Sequence, residues 1–236
     1  MRNYYQSQIN KLDTSLIEMG SLLESAIENA MIALKNGDRQ AVRDAKAIER
    51  EIDQKEKELE TMCLKLILHQ QPVARDFHLI SAALKLITDM ERIGDQADDI
   101  AVLSSRLTTG RDSNVMDLII KMGKETSKMV TGSIDSYVKR DMNLAVQVTN
   151  ADDVVDSLFI RAKEEIVQLI KSDGEIAEDA PDLLMIAKYF EGIGDHAVKI
   201  AEWVVFAFTG NHNMEESDSQ SGNPNNINNE ALEDMM

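Results

Sequence analysis

Glu91-Arg92-Ile93-Gly94-Asp95 returns one hundred positions later as Glu191-Gly192-Ile193-Gly194-Asp195. In each copy a Glu and an Asp stand four apart, a spacing that places both carboxylates on one side of an α-helix. A second pair of sites repeats at an offset of 103, where Glu49 and Asp53 correspond to Asp152 and Asp156. Two carboxylates about 5 Å apart repel by roughly 3 kcal/mol at an effective dielectric of 20, and four repel more. Such a cluster persists if it is solvated, partly protonated, paired with bases, or holding a cation. A site built from carboxylate oxygen alone suits calcium, magnesium, manganese or ferric iron. It is a poor structural zinc site, which wants Cys or His. The plain alternative is a solvated helix face: 28% of the residues are charged, so one Glu-x-x-x-Asp means little. Equivalent placement in both halves, and the Ile-Gly in the Glu91 and Glu191 copies, count toward a cation and leave the solvated face open. A glycine inside a helix costs about 1 kcal/mol relative to alanine, so Gly94 and Gly194 suggest close approach of a neighbour. Tight helix packing alone would also explain them.

The elements that must position these acids are long helices. Ile9, Leu12, Leu16, Met19, Leu23, Ile27, Ala30 and Leu34 recur every three or four residues and predict an amphipathic helix over 5–35. Gly37 is its stop, and Asp38 is placed to cap a second helix over 39–69 that carries Val42, Ala45, Ile48, Ile52, Leu59, Met62 and Leu66. The stretch Gln70-Gln71-Pro72-Val73-Ala74 breaks that helix, since a residue before proline avoids helical angles. Pro72 or Asp76 opens a third, reaching about Leu107, and a loop over 108–112 follows. The second half repeats the plan with helices over 113–139, from Asp141 to about 171, and from Pro181 to about 209. Ile119, Met122 and Gly123 repeat Leu16, Met19 and Gly20, and Asp141 repeats the cap of Asp38. The offset falls from 103 to 100 between the second and third helices, so the length change sits in a loop.

The expectation is an all-α chain of two tandem antiparallel three-helix bundles, residues 1–110 and 111–210, with helices about 45 Å long. In each bundle the second and third helices are antiparallel neighbours, so their acid pairs can face each other. Residues 211–236, rich in Asn, Ser, Glu and Asp, read as a disordered polar tail.

Composition excludes several function classes. A net charge of −17 with 4% aromatics argues against nucleic acid and against anionic lipid. A single cysteine, Cys63, leaves no intrachain disulfide and reads as a buried inert thiol. No apolar leader follows Met1 and no run approaches the ~18 apolar residues of a membrane span, so a cytoplasmic protein is expected. Enzyme chemistry finds no support. The Glu-x-x-His of di-iron bundles is missing, as are a nucleophile elbow and a phosphate loop. His196 reads as a polar rim histidine or an outer ligand, and Arg75 as an ion-pair partner or an anion binder. Asp98 and Asp99 read as surface charges.

Three stretches carry a family resemblance: Gln71-Pro72-Val73-Ala74-Arg75-Asp76, Ile87-Thr88-Asp89-Met90 with the motif that follows it, and Glu191 through Ala197 with Ile200-Ala201-Glu202. Together they resemble the PhoU phosphate-uptake regulators, in register through both repeats over residues 1–208. The resemblance implies metal clusters, with iron or zinc among them and magnesium, manganese or calcium also open. By position the ligands would be Glu49, Asp53, Glu91, Asp95, Asp152, Asp156, Glu191 and Asp195. It further implies a non-enzymatic negative regulator that links a phosphate ABC transporter to a sensor histidine kinase, keeping the phosphate-starvation response off when phosphate is plentiful. A homodimer is the expected assembly. Gly192 departs from the arginine usual in the second motif, and Gln96 stands where a histidine is common. Both departures bear on whether the two sites hold metal equally.

Overall fold

Six α-helices make up nearly all of the chain that the computed structural model describes, residues 2–70, 74–108, 113–172 and 178–210. They are α1 (Arg2–Asn36), α2 (Arg39–Gln70), α3 (Ala74–Ser104), α4 (Asn114–Lys139), α5 (Met142–Ser172) and α6 (Ala180–Thr209). No strand occurs among the described residues. Gly37 leaves α1 with a φ of 66°, a left-handed angle that glycine adopts without a Cβ penalty. The two repeated caps work as the sequence predicts. Asp38 accepts from the amide of Gln40 at 2.7 Å, and Asp141 from those of Asn143 and Leu144 at 3.0 and 3.1 Å.

Some boundaries differ from expectation. Helix α3 stops at Ser104 instead of Leu107, because the chain turns there to bury Leu107 and to present the Thr108 amide to Asp179 at 2.9 Å. Asp179 therefore ties the end of the first half to the start of α6 and makes no side-chain cap of its own helix. The breaks at 71–73, most of the loops at 108–112 and 172–180, and the tail 211–236 lie outside the described residues.

Each half packs its three helices on one another, and the halves share one continuous apolar core. The seam between them is broad: α3 lies along α6, and α1 lies along α4. Asp89 meets His196 while Gln96 meets Gly192, so α3 and α6 run antiparallel. Helices α2 and α5 are thereby left on the outside, each against its own half. Cys63 is fully buried, and burial pushes its thiol up to about 12, which keeps it protonated and inert.

Gly20 and its repeat equivalent Gly123 mark the α1–α4 crossing. A Cβ on Gly123 would stand 2.8 Å from Met31 Sδ and 2.9 Å from Phe190 Cε1. The thioether can swing, but the Phe190 ring is fully buried and has nowhere to go. Gly123→Ala should therefore lower stability by about 1–3 kcal/mol through overpacking, outweighing the ~1 kcal/mol gain in helix propensity. Thermal melts of the two proteins check the sign; a rise in Tm would show the crossing is looser than these distances say.

Candidate metal centres

In the first half, Gly94 does the positioning. A Cβ there would lie 3.0 Å from Ile52 Cδ1, so the bare backbone of α3 lets α2 come in close. Ile52 is flanked on α2 by Glu49 and Asp53, and Gly94 on α3 by Glu91 and Asp95. The approach that seats Ile52 thus presses the acid pairs together. One oxygen each from Glu49, Asp53 and Asp95 lies within 4.8 Å of the others. Glu91 stands outside that triad, half-buried one turn earlier on α3.

Electrostatics follow from the crowding. Burial raises the Asp95 carboxyl; Arg92 opposes the rise, and Asp53 and Glu49 add to it. Burial also raises Glu91, helped by Asp95 and opposed by Arg92. Glu56, a neighbour that repeat logic did not flag, is raised by burial and then by Glu60 and Asp53. Arg92 is a loose counter-ion at the rim, 3.5 Å from Glu91 and 3.6 Å from Asp95. Lys46 is closer, with Nζ 3.0 Å from Glu49 Oε2 but off the direction of a hydrogen bond to it. The same ammonium donates to Asp98 Oδ2 at 3.0 Å. Asp98 is not the surface charge expected of it: it is 7% exposed, on the side of α3 that faces α2.

The second half repeats the plan more openly. A Cβ on Gly194 would lie 3.2 Å from Asp152 Oδ1, so here the glycine makes room for a ligand candidate itself. Asp152 Oδ1 is buried without a hydrogen-bond partner. Its carboxyl is pushed up to about 6, first by burial and then by Asp156, Asp195, Glu191 and Asp153. Glu191 pairs with Lys188, whereas Asp156 and Asp195 are exposed. Among the described residues, the tight triad occurs in the first half alone.

The two departures noted in the sequence meet each other. A Cβ on Gly192 would stand 2.8 Å from Gln96 Oε1, so the amide of α3 fills the space that glycine leaves on α6. His196 Nδ1 lies 2.9 Å from Asp89 Oδ1 across the same seam, which makes it a rim partner. Asp99 is exposed and lies near Tyr189 of α6, whose hydroxyl is raised by burial and then by Asp99. The side chain of Arg75 lies outside the described residues. Lys46 and Asp98 escaped sequence reading because neither recurs: their equivalents are Thr149 and Val198.

As a donor set, both clusters fit a hard cation. They offer carboxylate oxygens, some buried and unpartnered, and acid outweighs base. Zinc fits less well, since neither cluster presents Cys or His.

Comparison with known proteins follows the same two halves. A family model described as the PhoU domain matches twice, over residues 16–103 and 119–204, and each match contains one set of four acids. The chain is 33% identical over 210 residues to a phosphate-specific transport system accessory protein PhoU homolog of Clostridium acetobutylicum, covering 89% of this chain and 96% of that one. A homolog of the same description from Burkholderia sp is 30% identical, covering 89% and 91%. The crystal structure of PhoU from Pseudomonas aeruginosa superposes with a TM-score of 0.80 at 27% identity, over 88% of this chain and 100% of that chain. The phosphate transport system regulatory protein PhoU from Streptococcus pneumoniae shares the fold, with a TM-score of 0.81 at 21% identity, over 89% and 99%.

The Asp152 shift predicts a pH dependence for protein stripped of metal. Its carboxyl holds a proton more tightly folded, at about 6, than in the ordinary range near 4. Its contribution to stability is therefore full below about pH 4 and is lost as pH rises through 6. In chelator, Asp152→Asn should match the parent near pH 4 and become the more stable of the two above pH 6. Thermal melts across that range check this, and parallel curves would mean the carboxylate is well solvated.

Proposed function

The chain belongs to the PhoU family, and from that premise we propose that it regulates phosphate uptake by binding metal ions at the two carboxylate clusters. The family consists of regulatory accessory proteins of phosphate transport and not of enzymes, so the clusters have a structural or signalling task instead of turnover. In this reading the protein is a cytoplasmic negative regulator of the phosphate-starvation response. It links a phosphate ABC transporter to a sensor histidine kinase, and two copies assemble as a homodimer. No helix among the described residues is long and apolar enough to cross a membrane. Partners would therefore be met through helix surfaces.

The observation that carries the metal reading is the convergence of Glu49, Asp53 and Asp95 where Gly94 opens α3 to α2. The eight candidate ligands remain Glu49, Asp53, Glu91 and Asp95 in one half and Asp152, Asp156, Glu191 and Asp195 in the other. Ferric iron, manganese or magnesium suits these donors better than zinc does. A bound cation would relieve the repulsion and fix α2 on α3, and α5 on α6, as a docking surface for the partners.

A second reading has its own support in the exposed Asp156 and Asp195 and in Lys188 beside Glu191. There the acids are solvated and the protein is a metal-independent helical adaptor. Asp53→Asn with Asp95→Asn separates the two. Metal binding should expect a loss of at least about tenfold in affinity, metal content falling by half or more on elemental analysis, and a starvation-response reporter that stays on in high phosphate. Metal lost with regulation intact would leave the adaptor.

A further inference from the structure

The two halves are alike in their candidate ligands and unlike in what stands behind them. In the first, Lys46 Nζ lies 3.0 Å from both Glu49 Oε2 and Asp98 Oδ2. Asp98 is more than nine-tenths buried, and its other oxygen is buried without a hydrogen-bond partner. In the second half the same places hold Thr149, whose hydroxyl bonds the Ala145 carbonyl on its own helix, and Val198. Lys188 pairs with Glu191 there in the same i,i+3 relation and is about as exposed as Lys46, but among the described residues no second acid pairs with it.

Resting on the metal reading above, we propose that Lys46 is a tethered counter-cation of the first centre that a metal ion must displace from Glu49, with Asp98 as the place that keeps the displaced ammonium. An ammonium and a metal ion compete for one carboxylate, because like charges a few ångströms apart repel. Glu49 is thus neutralised by Lys46 without metal and by the ion with it. Asp98 explains why the exchange is feasible. Its carboxylate already holds Lys46, so the ammonium stays paired when Glu49 turns away, and no buried charge is stranded. The second centre also has a lysine on one ligand, Lys188 on Glu191, but among the described residues no second acid pairs with it. Metal entry at the first centre is thus an exchange in which the displaced lysine stays paired.

The test uses full-length protein and Mn(II) followed by calorimetry and by electron paramagnetic resonance. Asp152→Asn/Asp156→Asn isolates the first centre, and Glu49→Gln/Asp53→Asn the second. Placing Lys46→Thr/Asp98→Val, the residues of the other half, into the first-centre protein should tighten its Mn(II) binding on the order of tenfold. Lys46→Gln, which keeps a donor for Asp98, should give most of the same gain if the double exchange folds poorly. No gain from either exchange overturns the role of Lys46 and leaves the metal reading standing. Absence of Mn(II) binding in every protein, the parent included, overturns both.

Discussion

Helix packing presses like charges together here, and the rest of the arrangement responds to that pressure. Gly94 and Gly194 remove the side chains that would hold α2 off α3 and α5 off α6. What comes into contact is Ile52 in one half, flanked by acids that have to follow it, and in the other the acid Asp152 itself, with Val155 beside it. The burial that stabilises the crossing is therefore inseparable from the repulsion around it. Raised carboxyl groups at Glu91, Asp95 and Asp152 are the record of that conflict. A cation would relieve it at both places, and Lys46 on Glu49 and Lys188 on Glu191 relieve part of it.

The seam between the halves adds a second constraint. Asp89 with His196, Tyr189 with Asp99, and Gln96 with Gly192 all bridge α3 and α6 close to the carboxylate level. Gly192 and Gln96 read in isolation as two losses, an arginine and a histidine. In contact they read as one exchange, a side chain on α3 extended into room given up on α6. A Cβ at 192 would meet the Gln96 amide, so a side chain there requires that flexible amide to move.

Much of this was legible in the sequence, and the physical reason is periodicity. Six helices, the repeated Asp38 and Asp141 caps and the left-handed Gly37 all follow from patterns local to one helix or one turn. Repetition then exposed the acid pairs, since chance rarely repeats a spacing at equivalent places. Residues that act across helices without recurring were not legible. Asp98 looked like a surface charge beside Asp99, yet one faces α2 and the other lies at the surface, a difference of 100° around the helix axis. Arg140 carries a left-handed φ of 60°, pairs with Asp13 at 3.2 Å and stacks on Tyr137 and Phe208, joining α1, α4 and α6. Nothing in its neighbours along the chain announces that role.

The donor chemistry also bears on which ion the clusters discriminate. A resemblance alone leaves iron and zinc side by side, but the residues brought together here do not. Carboxylate oxygens are hard donors, and a set of them favours ions of high charge density over a borderline-soft ion that bonds best to thiolate and imidazole. His196, the histidine adjacent to the second motif, is engaged by Asp89 through Nδ1. That contact leaves His196 one nitrogen, Nε2, to offer an ion, and the carboxylate triad of the first half includes none. An ion with several formal charges gains more from Glu49, Asp53 and Asp95 than the single charge of Lys46 does, which is why an ammonium can stand in for the ion without excluding it. On the proposed metal reading, selectivity would rest on the carboxylates and sensitivity on the lysine behind them.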